Sequence, residues 1–237
     1  MRHILLLPVL LSTVLLGTGL TSCSLVGGDD SGSGGGTPTE VVLVTHESFV
    51  LPDELVAEFE DESGYDLVIK ASGDAGALTN KLVLSKDNPI GDAVFGIDNT
   101  FASRALDEGV LATTDATRAS GAREYDLAGD GADHLVPIDN GNVCVNVDTT
   151  WFDAEGVNPP RTLEDLTKPA YRDLFVTPGA TTSSPGLAFL LTTVAAFGDD
   201  WPAYWEDLLA NGAEVTEGWS DAYQVDFTQG GGGGDRP

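Results

Sequence analysis

The residues best suited to hold a small molecule fall in five short polar turns: "THES" (45–48), "SGD" (72–74), "GIDN" (96–99), "PGATTSSPG" (178–186) and "GWSDAY" (218–223). Asp74 and Asp98 are pure hydrogen-bond acceptors when ionised. Ser183 and Ser184 stand where an apolar-striped helix begins, and the first N–H groups of a helix favour an anion. Trp219 offers a large π-face suited to a cation or a flat heterocycle. A ligand with a positively charged aromatic ring and a polar or phosphorylated tail would use all three. Each residue also has a plainer reading. Asp98 can cap a helix starting at Thr100, Ser184 can cap its own helix, and Trp219 can be buried core.

What places these turns is an alternation of strands and helices. Residues 41–44 form a continuous apolar, β-branched run, as in a strand buried on both faces. Pro52 opens a helical pattern with Leu51, Leu55, Val56 and Phe59 on one face, and Gly64 closes it. Strands are expected at 65–71 and 93–95, and helices at 78–85 and 101–108, the last stopped by Gly109. Residues 134–138 and 143–147 are strand-like. Thr162 and Asp165 form an acidic variant of the capping box. A strand is expected at 174–176, then a helix from Ser184 with Leu187, Leu190, Leu191 and Val194 as its stripe and Gly198 as its stop. Trp201, Tyr204, Trp205 and Leu208 follow at core-facing helical spacing, and 213–216 reads as one more strand-like run. Such alternation predicts an α/β fold with parallel sheets. Ligands in open α/β sheets bind outside the carboxyl ends of the strands, where all five polar turns fall.

Arg2, His3 and the apolar stretch 4–20 read as a secretory signal over 1–22, too broken for a spanning helix. Leu20-Thr21-Ser22-Cys23 resembles a bacterial lipobox, with Cys23 lipidated and anchored to the membrane. Residues 23–39 then supply a flexible Gly/Ser-rich tether. The only other cysteine, Cys144, lies in an apolar run and is expected to be a small buried side chain. The charge balance, 38 acids against 11 bases and a formal net of −27, argues against a nucleic-acid partner. "DLAGDGAD" (126–133) has the wrong spacing for an EF-hand and reads as a solvated loop. Only His46 and His134 lie outside the signal, and HExxH, paired CxxC, GxSxG and Walker A sequences are all absent. The expectation is a binding protein rather than an enzyme, with no metal and no cofactor. A surface-anchored hydrolase is the alternative from another class.

"THESF", "GDAVFGIDNTF", "TSSPGLAFLL" and "GWSDAY", in this order and spacing, resemble the thiamine-binding lipoproteins of bacterial ABC importers, a branch of the periplasmic-type solute-binding proteins. The resemblance runs over 41–227. It implies a two-lobed type II periplasmic-binding-protein-like α/β fold, incomplete at the C-terminus, that closes around thiamine or a thiamine phosphate and delivers it to the ABC permease. It also implies a monomer, lipid-anchored and facing the extracytoplasmic space. The domains then read as signal 1–22, lipidated cysteine and tether 23–39, first lobe 40–138, second lobe 139–229, and a Gly-rich loop at 230–237 where the chain is truncated. By position, Asp74 and Asp98 match first-lobe acids, Ser183 and Ser184 the turn that meets the hydroxyethyl or phosphate end, and Trp219 an aromatic packed on the ligand rings. Tyr223 belongs to the same motif. His46 stands where relatives carry a tyrosine. Weak or absent thiamine affinity is expected of a truncated chain. Ferric iron or a polyamine as ligand, and a non-functional remnant, remain the other readings.

Overall fold

The computed structural model describes residues 39–237. The signal, Cys23 and the tether as far as residue 38 lie outside the described residues, and Thr39, expected to end the tether, opens a strand instead. Strand β1 (Thr39–Thr45) is central: it pairs in parallel with β2 (Tyr65–Ala71) along its full length and with β3 (Ala93–Phe95) at its carboxyl end, in the order β2-β1-β3. Helix α1 (Asp53–Ser63) begins after Pro52 and ends on Gly64, whose left-handed φ of 74° only glycine takes without strain. Glu60 ties α1 to β2 by accepting a hydrogen bond from the Leu67 N–H at 2.9 Å. Helix α2 (Ala75–Leu84) buries Leu78 and Thr79, and α3 (Ala102–Asp107) buries Ala105.

A second, smaller sheet pairs β4 (Val176–Pro178) in parallel with β5 (Glu214–Thr216). Between the two sheets the chain runs through 3₁₀ turns and one short helix, α4 (Thr149–Glu155). The capping box predicted at Thr162 and Asp165 is present, on a 3₁₀ turn over Leu163–Thr167. A hydrogen bond from Lys168 and two from backbone N–H groups hold the Asp165 carboxyl down at about 2.

Helices α5 (Ser184–Phe197) and α6 (Trp201–Ala210) cover this second sheet. Their core consists of Leu166, Phe189, Tyr204 and Leu208, with Phe175, Phe197 and Trp205 packed against it. Its polar tips are satisfied: the Tyr204 hydroxyl donates to the Leu163 carbonyl at 2.9 Å and the Trp205 indole to Thr193 at 2.8 Å. Burial raises the Tyr204 phenol well above its ordinary pKa. The helical spacing of Tyr204, Trp205 and Leu208 thus marks core, as expected.

The strand expected at 174–176 lies two residues later, at Val176–Pro178, and two further expectations fail. Residues 134–138 and 143–147 are not strands, because no described segment offers them a ladder, and β-propensity without a partner does not fix a strand. For the same reason Cys144 is exposed rather than buried. The glycine run, by contrast, is more than a loop. Cβ atoms on Gly230, Gly232 and Gly234 would lie 1.8, 2.5 and 2.1 Å from the carbonyl oxygens of Tyr223, Gln224 and Asp226. Gly231 and Gly233 between them have φ of 92° and 80°. The run is a strap that only glycine can form, laid on a π-helical turn at Asp221–Asp226. Arg236 pins its far end, its N–H donating to the Asp226 carbonyl and its guanidinium pairing with Glu214 at 2.8 Å.

Candidate functional site

The carboxyl ends of β1, β2 and β3 turn toward the segment that follows β5. Asp74 is the centre of that meeting. It is the N-cap of α2, one oxygen accepting from the Ala75 N–H at 2.7 Å. Its other oxygen accepts from the backbone N–H of Trp219 at 2.9 Å, 145 residues away. Both oxygens are therefore engaged, and what the Asp74 carboxylate holds directly is the main chain that carries Trp219. Gly218 makes this approach possible, since a Cβ there would sit 3.0 Å from the Glu47 carboxylate and 3.6 Å from the Asp74 side chain. Next to it, the Ser48 and Ser220 hydroxyls lie 3.4 Å apart.

A second joint lies at the first turn of α2. The Thr182 carbonyl, in the loop between β4 and α5, accepts from the Gly76 N–H at 2.8 Å and the Ala77 N–H at 3.1 Å. A Cβ on Gly76 would meet the Phe101 ring and the Thr181 carbonyl, each at 2.6 Å. The donors at the start of α2 are thus filled by a backbone oxygen from the other sheet's loop. The Thr182 hydroxyl in turn donates to the Glu217 carbonyl at 2.5 Å, joining the 178–186 turn to the 218–223 turn.

The Trp219 ring is half-buried and stacked on Tyr223, centroids 4.8 Å apart and planes 11° from parallel. Tyr223 packs on Phe227 at 5.5 Å, completing a three-ring column. Among the described residues no further aromatic ring stacks on Trp219. A flat cationic group laid on this column would gain both area and cation–π attraction.

The other expected residues are placed as follows. One oxygen of Asp98 accepts from the N–H groups of Thr100 and Phe101 and from the Thr100 hydroxyl, as a helix-start cap does. Its other oxygen has no hydrogen-bond partner among the described residues. His46 packs on Phe95 and Phe49 (centroids 5.6 and 6.4 Å), with Nδ1 accepting from the Ser48 N–H at 3.2 Å. Gly96, at φ 113°, gives that ring its room. Ser183, not Ser184, is the N-cap of α5; it is fully buried, and its hydroxyl has no partner among the described residues. Ser184 is the first helical residue and half-buried. The structure therefore brings Asp74, Trp219 and Tyr223 together around one joint. It sets His46 and Asp98 on the neighbouring strand ends and seals Ser183 behind the loop.

Sequence reasoning missed Glu47, Ser220, the Thr182 carbonyl and Asp148. Asp148 caps α4, and its second oxygen accepts from the Thr228 hydroxyl and the Gln229 amide, both at 2.7 Å. These bonds, Gln229's first, hold its pKa below the ordinary aspartate value. The pattern Asp148-Thr149-Thr150 ahead of Trp151 was a readable cap signal. A backbone carbonyl such as that of Thr182 leaves none.

Parallel α/β sheets whose strand ends share one joint form the kind of crevice, outside the carboxyl ends of the strands, where ligands of open α/β sheets bind. Comparison with known proteins agrees. Residues 88–222 match the family model for bacterial extracellular solute-binding proteins, and the chain belongs to that family. A thiamine-binding periplasmic protein of Brucella abortus is 31% identical over 197 residues, covering 81% of this chain and 56% of the relative. A protein of the same description from Escherichia coli is 30% identical over 191 residues, covering 77% and 55%. The chain thus spans little more than half the length of these curated relatives. A solved periplasmic thiamin binding protein superposes with a TM-score of 0.61 at 25% identity, covering 79% of this chain and 58% of that one. A ferric binding protein from Campylobacter jejuni, at 18% identity and TM-score 0.52, covers 78% of this chain and 57% of its own and shares the fold.

Proposed function

We propose that the protein is an extracytoplasmic receptor for thiamine or its phosphate esters, acting in transport and not as an enzyme. The observation that carries this reading is the Trp219–Tyr223 stack hung on Asp74 through the Trp219 N–H. Thiamine has a cationic thiazolium and a flat aminopyrimidine, which suit such a stack. The names of the similar proteins support the same ligand. Trp219 is the ring platform, Tyr223 its backing plate, and Asp74 the group that fixes its main chain. Asp98, with an oxygen to spare, and His46 are the polar partners at the neighbouring strand ends. Ser183 and Ser184 set the start of α5, where a phosphate or hydroxyl tail would end. The crevice then divides a first lobe, 40–138, from a second, 139–229. A lipid on Cys23 would hold the receptor at the outer face of the membrane, next to the ABC permease that takes up its ligand.

Tryptophan fluorescence of the chain extended to the full length of its relatives tests the reading. Saturable quenching by thiamine, and none by putrescine or ferric citrate, is the expected result. Trp219→Ala removes most of the signal and weakens binding by about 1–3 kcal/mol, the scale of a desolvated cation–π contact with its buried area. An extended chain that ignores thiamine, or a Trp219→Ala variant of it that binds as tightly, would defeat it.

A further inference from the structure

Asp74, Asp98 and Glu47 each follow a strand of the first sheet, and the first two are committed to helix starts. Asp74 caps α2 with one oxygen and takes the Trp219 N–H with the other, while one oxygen of Asp98 takes three donors ahead of α3. The positive end of a helix offsets part of the charge of an acid placed there. Glu47 stands instead in a turn, where the His46 carbonyl accepts from the Phe49 N–H at 3.2 Å. Its own N–H donates to the Gly73 carbonyl at 2.9 Å, and the neighbouring Ser48 hydroxyl meets that of Ser220. The Glu47 main chain is thus fixed between the end of β2 and the 218–223 turn. Its carboxylate lies against Gly218, where a Cβ would stand 3.0 Å from Glu47 Oε1. Gly218 is buried, and the side chain it lacks is the room this carboxylate needs. The next residue is Trp219.

We propose that Glu47 supplies the charge by which the Trp219–Tyr223 platform selects a cationic ring over a neutral ring of the same shape. The proposal rests on the receptor reading above and deepens it: Asp74 fixes the place of the indole, and Glu47 selects the charge laid on it. A carboxylate beside the platform adds Coulombic attraction to the pull of the π-face on a cation. Both are lost for a neutral ring, which keeps only its stacking area. The ligand class is therefore a flat heterocycle with a permanent positive charge on the ring. The net charge of −27 also draws cations, but diffusely and over the whole surface. Glu47 acts at one place, and a change that keeps its shape separates the two effects.

The test uses the extended chain and two probes that quench tryptophan: 1-methylnicotinamide, a pyridinium cation, and nicotinamide, its neutral parent. The Trp219 signal is the difference between wild type and Trp219→Phe, and each probe is scaled to its quenching of N-acetyltryptophanamide. The cation should quench Trp219 more strongly than the neutral ring does. Glu47→Gln keeps the shape of the side chain and the main-chain bond to Gly73. It should cut the cation's advantage about fivefold, the upper end for an exposed charge pair, and leave nicotinamide unchanged. Glu62→Gln removes the same unit of charge from the end of α1 that leads into β2, at the opposite edge of the sheet, and should leave the advantage intact. Equal quenching by both probes in wild type overturns the proposal. So does an advantage that survives Glu47→Gln, or one that falls as far in Glu62→Gln. Thiamine titrations of the same proteins keep the two readings apart. A chain that ignores thiamine yet loses its cation advantage in Glu47→Gln ends the receptor reading and keeps the charge assignment. One that binds thiamine equally tightly with and without the Glu47 carboxylate keeps the receptor and ends the assignment.

Discussion

Around β4 and β5, helices α5 and α6 bury Phe189, Tyr204 and Leu208 in an aromatic core. Beside β2, helix α1 buries none of its side chains and leaves Leu55 and Phe59 46% and 40% exposed. The two regions are ordered by different forces. The second sheet has only three paired residues, and its order comes from hydrophobic burial above it. The first has a seven-residue parallel ladder, β1 with β2, and draws its burial from Val44 in the sheet and from α2 and α3 on it. The candidate site lies where the two meet, and its joints are backbone hydrogen bonds rather than apolar contacts.

Leu208→Ala and Phe59→Ala would break this contrast most directly. Leu208 is fully buried, so its truncation should cost about 2–5 kcal/mol in urea denaturation, lost transfer energy plus cavity. Phe59→Ala should cost under about 1 kcal/mol, because much of that ring is already in water. Equal losses would mean that α1 is held as firmly as α6, and the contrast would fall.

Gly76→Ala probes the joint between the regions. The added methyl would press on the Thr181 carbonyl and the Phe101 ring and push the Thr182 carbonyl off its two N–H donors. A loss of about 1–3 kcal/mol is expected, the usual scale of overpacking. Hydrogen exchange locates the damage: the Ala77 amide, deprived of its acceptor, should exchange faster than in wild type. An Ala77 amide as protected as before would show that the joint does not depend on this close approach.

The same division governs what could be read in the sequence. Strands β2 and β3 fall where they were expected, residue for residue, and α5 ends at Gly198 as expected. These elements announce themselves through apolar runs and stop residues within one short window. Residues 134–138 and 143–147 are similarly rich in apolar residues but form no strand, since pairing is a property of two segments and only one is visible locally. The five polar turns were legible as strand–helix connections. That Asp74 grips the Trp219 main chain was not, because a backbone N–H donor has no residue type to mark it. Nor was the glycine strap, whose reason lies in the carbonyls of Tyr223, Gln224 and Asp226 beneath it.

Asp148→Asn offers the finest test, because it acts on a joint made of charge rather than packing. The Asp148 carboxylate anchors both the start of α4 and, through Thr228 and Gln229, the chain leading into the glycine strap. Its folded pKa lies below the ordinary 3.8, so its ionised form is what the fold stabilises. That contribution is fully present above the unfolded value and is lost as pH falls through the folded one. The substituted asparagine cannot ionise, and its amide places a donor where the carboxylate has only acceptors. Near neutral pH the variant should therefore melt lower than wild type, and the gap should close as pH drops below 3.8. Leu208→Ala gives the contrasting profile, an offset in melting temperature that persists through the same acid range, since no proton is involved. If the Asp148→Asn gap were equally flat with pH, the anchor would be one of shape, and the strap would be held like the α6 core after all.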